Sequence, residues 1–294
     1  MAVEELKKTL VLGHRNPDTD SICSAICYAG FKHQLTGENY EPCRAGNVNP
    51  ETQYVLDYFK LKAPRLVENV KTQVKDIEIR KTKGVSRGIS LKNAWGLMQE
   101  NNVVTLPCVT EEGLLEGVIT IGDITKSYMN LYDSSIISKA CTKYANILDT
   151  LEGSMVVGDS EAYFDQGKVL IAAANPDLME NYIEKHDLVI LGNRYESQLC
   201  AIEMEAGCII VCEGAGVSLT IRKLAQERGC AVITTPYDTY TTARLINQSM
   251  PISYFMTKEN IIEFSEEDYL DDIREIMASK RHRDFPILDS DGKY

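Results

Sequence analysis

Basic residues are in deficit in this sequence. The 294-residue chain carries 31 Lys and Arg against 43 Asp and Glu, a formal net charge of −12. Such a surface has no general electrostatic reason to hold nucleic acid or an anionic membrane. A phosphate anion would have to be handled locally, by metal ions, backbone N–H groups or a few placed cations. Long apolar runs are also missing: nothing approaches the roughly 18 residues of a membrane span. The apolar stretch at 9–13 is too short for a signal-peptide core. The nine cysteines form an odd set with no C-x-x-C pair. No histidine stands beside the four-residue spacings Cys23/Cys27 and Cys208/Cys212, so nothing reads as a zinc site. Most lie in apolar runs, the pattern of reduced, buried thiols in a cytoplasmic protein. What is present is ordinary globular composition, 44% apolar and 25% charged, which excludes wholesale disorder; at this length two or three domains are expected.

Residues 9–12 read as a short buried strand, followed by a polar loop over 13–20. Ile22, Ala25, Ile26 and Ala29 then mark one helical face, ended at Gly37. Residues 42–45 suggest a second strand, and Asn49-Pro50 a helix start with Asn as N-cap and Pro at N1, running to about Lys60. Strand–loop–helix repetition of this kind predicts a parallel α/β sheet. Further on, Ser90 can cap a helix, strands are expected over 105–110 and 114–120, and Asp123 opens another helix. A separate α/β unit is expected over 141–249, with strands at 155–158, 169–173, 188–191, 208–212 and 231–234. Asn175-Pro176 opens one of its helices and Gly229 ends another.

The chain also repeats itself at an offset of 179 residues. Leu97-Met98 meets Ile276-Met277, Leu106-Pro107 meets Phe285-Pro286, Val109 meets Leu288, and Gly113 meets Gly292. Ser265-Glu266-Glu267-Asp268 supplies a capping-box pattern in the second copy. Tyr294 corresponds to Leu115, so the second copy is expected to continue beyond this chain, which reads as an N-terminal fragment.

The densest chemistry is Gly13-His14-Arg15-Asn16-Pro17-Asp18-Thr19-Asp20-Ser21-Ile22. One imidazole and two carboxylates fall within seven residues, between a strand end and a helix start, where ligands bind in parallel sheets. A nitrogen and oxygen donor set suits a borderline or hard divalent ion such as manganese. Taken singly, Asp20 or Thr19 could cap the helix. The string resembles the first motif of the DHH phosphoesterases, and most closely the family II, manganese-dependent inorganic pyrophosphatases. The likeness continues through Pro42, Arg44, Asn49, Glu51-Thr52-Gln53-Tyr54 and Pro64-Arg65-Leu66-Val67-Glu68. It implies that His14 and Asp18 bind one metal and Asp20 the other. The family's Asp-His-Asn and Asp-His-His motifs and its Ser-Arg-Lys substrate clamp have no counterpart in the chain.

Residues 69–130 resemble a CBS domain, through Gly117-Val118-Ile119-Thr120-Ile121-Gly122-Asp123-Ile124. A Thr hydroxyl at a helix N-terminus suits phosphate, and Asp123 can accept from ribose hydroxyls. Residues 250–294 are a truncated second copy, whose Lys280-Arg281-His282-Arg283 cluster offers Arg281 and Arg283 to nucleotide phosphate. Residues 141–249 resemble a DRTGG domain, through Gly158-Asp159, Leu191-Gly192-Asn193-Arg194 and Thr234-Thr235-Pro236-Tyr237-Asp238-Thr239; the name motif is altered to Cys212-Glu213-Gly214-Ala215-Gly216.

The expected architecture is therefore α/β: the first part of a DHH-type parallel-sheet domain (1–68), a CBS domain, a DRTGG-like α/β domain and a truncated second CBS domain. The resemblance implies a manganese-dependent inorganic diphosphatase, hydrolysing diphosphate to two phosphates at a two-metal site that is incomplete in this chain. It implies regulation by AMP, ADP or ATP, with a diadenosine polyphosphate as a further candidate, and a homodimer. The alternatives are another DHH phosphoesterase, acting on oligonucleotides or polyphosphate, and a non-catalytic adenine-nucleotide-binding regulatory module.

Overall fold

The computed structural model describes residues 8–129, 133–280 and 284–294. It divides into two compact units, one of residues up to Asp76 with Tyr269–Asp272, the other of Ile77–Asp268 with Ile273–Tyr294.

The first unit holds β1 (Thr9–Leu12), α1 (Thr19–Thr36), β2 (Tyr40–Arg44), α2 (Pro50–Tyr58) and β3 (Arg65–Leu66). The strands form one parallel sheet in the order β1-β2-β3, with Thr9 opposite Tyr40 and Cys43 opposite Arg65. Parallel neighbours need a crossover, and α1 and α2 supply the two. The caps follow the sequence closely. Asn49 Oδ1 accepts from Thr52 N–H at 2.7 Å ahead of Pro50, and α1 ends on Gly37 at φ 73°. Ile22, Ala25 and Ala29 are the buried face of α1. One boundary differs: α1 begins at Thr19, so its N-cap is Asp18, and Thr19 and Asp20 lie in its first turn.

The second unit continues with α3 (Leu91–Glu100), the antiparallel hairpin β4 (Thr105–Val109) and β5 (Leu115–Thr120), and α4 (Ile121–Met129). Next come α5 (Ile136–Lys139), β6 (Thr142–Lys143), α6 (Tyr144–Thr150), β7 (Ser154–Val157), β8 (Tyr163–Phe164), β9 (Val169–Ile171), α7 (Pro176–Met179), β10 (Leu188–Leu191), α8 (Tyr195–Glu203), β11 (Cys208–Val211), α9 (Leu219–Arg228), β12 (Ala231–Thr234) and α10 (Thr239–Leu245). The chain closes with β13 (Phe264–Ser265), α11 (Leu270–Ser279) and β14 (Ile287–Leu288).

A five-stranded sheet, β7-β12-β11-β10-β9, organises the middle of this unit. All its pairings are parallel except β7 against β12. Every residue of β10 and β11 is buried, because helices cover both faces of a parallel sheet. The alternation of side chains divides them between two cores. Leu188, Ile190, Cys208, Ile210 and Ile233 pack with Leu91, Met98, Ile119, Ile147 and Met250; Val189, Leu191, Ile209, Val211 and Val232 pack with Ile202, Ile221 and Ala225. The first core thus joins the sheet to α3 and the β4–β5 hairpin.

The repeat is visible in the backbone. α3 and α11 begin and end 179 residues apart, and the turn glycines Gly113 and Gly292 both take positive φ, 88° and 75°. Ser90 bridges Pro251 while Leu91 N–H donates to Met250 O; at the shifted positions Tyr269 bridges Gln73 while Leu270 N–H donates to Thr72 O. Leu114 bridges Lys293, its own counterpart in the second copy. The expected second-copy capping box does not start the helix. Asp268 Oδ2 accepts from Ser265 N–H at 2.7 Å within a turn, and α11 begins after Tyr269, the residue that corresponds to the N-cap Ser90. The thiols are all free; Cys43, Cys108, Cys200, Cys208, Cys212 and Cys230 are buried as expected, but Cys27 and Cys141 are exposed. Cys141 sits in a turn at φ 49°, which lifts it out of the apolar packing.

Candidate functional site

The loop between β1 and α1 is shaped by two glycines. A side chain at Gly13 would overlap Ser21 Oγ, and one at Gly46 would stand 2.7 Å from Arg15 O and from Pro17 Cδ. Arg44 fixes the neighbouring loops by donating from Nε to Pro64 O at 2.9 Å and from Nη1 to Gly46 O. Thr19 and Thr52 hydroxyls, 3.0 Å apart, tie α1 to α2. Pro17 is buried, while His14, Asp18 and Asp20 are exposed. His14 Nε2 lies 3.3 Å from Asp18 Oδ1, and that oxygen also accepts from Ser21 N–H at 2.9 Å. The Ser21 amide, with His14 adding its own attraction, holds the Asp18 carboxyl below its ordinary range.

The geometry therefore brings together two of the three expected metal ligands, one imidazole nitrogen and one carboxylate oxygen. Asp20 projects from the next turn, and no group of three or more His, Cys, Asp or Glu is gathered among the described residues. The pair fits part of a coordination sphere for a borderline divalent ion; the rest must come from ligands other than these three. Asp18 caps the helix as well, so its helix-cap and ligand readings share one atom.

In the second unit, Thr120 and Asp123 form a reciprocal box at the start of α4. Asp123 Oδ2 accepts from Thr120 N–H at 3.0 Å and from Thr120 Oγ1–H at 2.7 Å, while Asp123 N–H donates to Thr120 Oγ1 at 3.2 Å. The helix begins at Ile121, two residues before the expected opening at Asp123, because Thr120 is the capping residue. These bonds leave Oδ1 of Asp123 free of listed intrachain duty only in part of its role: the side chain is fixed first as a cap, and its second oxygen stands available to a ligand.

Thr120 lines one lobe of a cleft between the two copies of the repeat. That lobe, of about 110 Å³, also takes Thr257, Asn260 and Ile261. A second lobe of about 210 Å³ takes Arg80, Thr82 and Tyr294 instead. Thr105, Val118, Asp284, Phe285 and Pro286 line both. Shifted by 179 residues, Thr82 becomes Ile261 and Thr105 becomes Asp284, so the lobes are repeat-related halves of one cleft. Val118 and Thr257 exchange backbone hydrogen bonds of 3.0 and 2.9 Å between its walls. The expected Arg281 and Arg283 lie outside the described residues. Thr82, Asn260 and Tyr294 escaped the motif reading, although the repeat offset applied to the segment before each copy would have found the first two.

The altered loop after β11 is occupied with its own framework. Glu213 and Gly214 both adopt positive φ, 63° and 62°, and their N–H groups donate to Tyr237 O and Thr235 O at 2.8 Å each. These two amides are spent on the 235–237 loop rather than offered to an anion.

Comparison with known proteins gives consistent matches. The CBS-domain family matches residues 74–130 and 252–294, and the DRTGG-domain family matches residues 146–249. The chain is 38% identical over 283 residues to a cobalt-dependent inorganic pyrophosphatase of Clostridium perfringens, covering 96% of this chain and 52% of that protein. It is 29% identical over 292 residues to a probable manganese-dependent inorganic pyrophosphatase of Thermotoga maritima, covering 99% of this chain and 53% of the relative. Over 72 residues it is 57% identical to the manganese-dependent inorganic pyrophosphatase of Bacillus subtilis, 24% of this chain and 23% of that one. The chain thus spans about half the length of the two relatives it matches from end to end. Its fold superposes on the crystal structure of the CBS and DRTGG domains of the Clostridium perfringens pyrophosphatase regulatory region, solved with the activator diadenosine tetraphosphate. There the TM-score is 0.72 at 35% identity, over 76% of this chain and 97% of that one.

Proposed function

This chain belongs to the metal-dependent inorganic pyrophosphatases whose regulatory region carries CBS and DRTGG domains, and from that membership we propose that it is the nucleotide-sensing part, with the start of the catalytic domain, of an enzyme that hydrolyses diphosphate to two phosphates. The proposed domain limits are 1–68 for the catalytic start, 69–130 and 250–294 for the CBS copies, and 141–249 for the DRTGG domain. The protein acts in the cytoplasm as a homodimer in this reading.

The observation that carries the regulatory part is the cleft between the repeats, with Thr120 and the Asp123 carboxylate at the start of α4 facing it from one end. An adenosine ligand would be recognised there in two steps. Asp123, already oriented by its bonds to Thr120, accepts from ribose hydroxyls through its free oxygen. The α4 N-terminus and the Thr120 hydroxyl favour phosphate, assisted by Arg281 and Arg283. AMP, ADP, ATP or a diadenosine polyphosphate share these groups; the Clostridium perfringens region was crystallised with the last class as its activator.

For the catalytic part, His14 and Asp18 would hold one divalent ion and Asp20 a second, with manganese and cobalt both compatible with an imidazole and carboxylate set. When bound, such ions lower the pKa of a coordinated water and neutralise charge on the reacting phosphoryl group. The chain's own contribution is positional: Gly13, Gly46 and the buried Pro17 fix the loop, and the Ser21 amide aims Asp18 toward His14. The test is diphosphate hydrolysis by the complete gene product in manganese or cobalt, alongside oligonucleotide substrates. Asp18→Asn is expected to retain the helix cap but lose most activity at limiting metal, since an amide lacks the carboxylate charge. Wild-type activity in that variant, or a preference for oligonucleotides, would overturn the reading.

A further inference from the structure

A second concave site lies at the other end of α4. It is a cleft of about 490 Å³, within the size range of small-molecule sites. Tyr128, near the end of α4, faces Tyr240 and Arg244 of α10, with Asn247 and Gln248 completing the polar wall. Ala243 and Leu245 contribute apolar surface.

Three features of this cleft are unlike ordinary surface. First, the Arg244 guanidinium stands 5.8 Å from the Tyr240 ring centroid. That contact uses the flat face of the guanidinium and leaves its in-plane N–H donors free. Second, no carboxylate lies within ion-pair distance of Arg244 among the described residues. In a chain of net charge −12, an arginine left uncompensated inside a concavity is a local exception that matches the one requirement of anion recognition. Third, the Tyr128 hydroxyl is part of the same group. Half-burial pushes it above its usual range, opposed by the nearby Arg244 charge and a hydrogen bond with Gln248. Two aromatic rings, one unpaired guanidinium and two side-chain amides are the groups that hold a planar heterocycle carrying a phosphoryl group.

We infer that the Tyr128–Tyr240–Arg244 cleft is a second ligand site, separate from the cleft between the repeats, and that it binds a nucleoside phosphate through its phosphoryl oxygens and base. Arg244 takes the phosphoryl group, a tyrosine ring takes the base face, and Asn247 and Gln248 meet its polar edge. The shared chemistry of the possible sources is a phosphoryl oxyanion, either on a nucleotide or as free phosphate.

The test is equilibrium dialysis of AMP against the 294-residue chain, as wild type, Asp123→Ala, Arg244→Gln and the double variant. Wild type is expected to take two equivalents, and each single variant one. Arg244 is exposed, so its replacement should leave the fold intact. Losing its charge-assisted bonds should weaken the second equivalent by about ten- to hundredfold. Inorganic phosphate and adenosine are then competed against the equivalent that remains in Asp123→Ala. Displacement by phosphate alone at the concentration of AMP identifies a free-oxyanion site and overturns the nucleotide assignment; displacement only by AMP supports it. Stoichiometry and affinity unchanged in Arg244→Gln would overturn the site itself. Failure of the cleft between the repeats would appear separately, as no loss in Asp123→Ala.

Discussion

Gly117 offers the sharpest mechanical test of the cleft between the repeats. A Cβ placed there would stand 2.9 Å from Thr257 O and 3.0 Å from Met256 Sδ. The carbonyl cannot move away cheaply, because Val118 N–H donates to it at 3.0 Å and Thr257 N–H returns a bond of 2.9 Å to Val118 O. Gly117→Ala therefore has to push the second copy's 257–262 segment outward, carrying Thr257 and Asn260 away from Thr120. Overpacking of this kind costs about 1–3 kcal/mol. For a unit of roughly 200 residues that corresponds to a fall in melting temperature of about 2–12 °C. Nucleotide affinity should fall with it, by about tenfold if ~1.4 kcal/mol of the distortion is felt at the ligand. Thermal unfolding and calorimetric AMP titration of the same preparation measure both. An alanine variant with unchanged melting temperature and unchanged AMP affinity would refute the claim that this close approach sets the cleft.

Two further outcomes are expected. Asp123→Ala removes both a helix cap, worth about 0.5–2 kcal/mol, and the ribose acceptor, whereas Asp123→Asn keeps an acceptor oxygen but not the charge; AMP affinity should fall in the order wild type, Asn, Ala, and equal affinities across the three would exclude a ligand role. Asp133 is held at about 2, first by its bond from Lys139 and then by the Ser135 hydroxyl and amide. Its folded-state pKa lies below the ordinary 3.8, so its contribution to stability is present above that value and is lost as pH falls toward 2. The melting-temperature gap between wild type and Asp133→Asn should be constant above the ordinary value and close below it; a gap that widens on acidification would contradict the assignment.

Much of this fold was legible because strong local signals agreed with tertiary demand. Asn49-Pro50, Ser90, Gly37 and Gly229 each stand at the helix boundary that their chemistry favours. The runs at 188–191 and 231–234 coincide with β10 and β12, since strands buried on both faces are written as unbroken apolar segments. The antiparallel placement of β7 was not legible: its pairing with β12 is a long-range choice that no local residue encodes. At the candidate sites, the motif reading found residues that combine a cap with a ligand, such as Asp18 and Thr120. It missed Thr82, Asn260 and Tyr294, which reach the cleft only because the two copies face each other. It also missed the Tyr128–Arg244 cleft, whose members come from segments more than a hundred residues apart and carry no spacing signature.

The central claim is that this chain senses adenine nucleotides at the cleft carrying Thr120 and Asp123. Calorimetric titration of diadenosine tetraphosphate into the 294-residue chain, beside a Thr120→Val variant, tests it most directly. The hydroxyl of Thr120 holds Asp123 in place at 2.7 Å, so the expected result is saturable binding to wild type and clearly weaker binding to the variant. No saturable heat with wild type, or the same affinity in both, would contradict it.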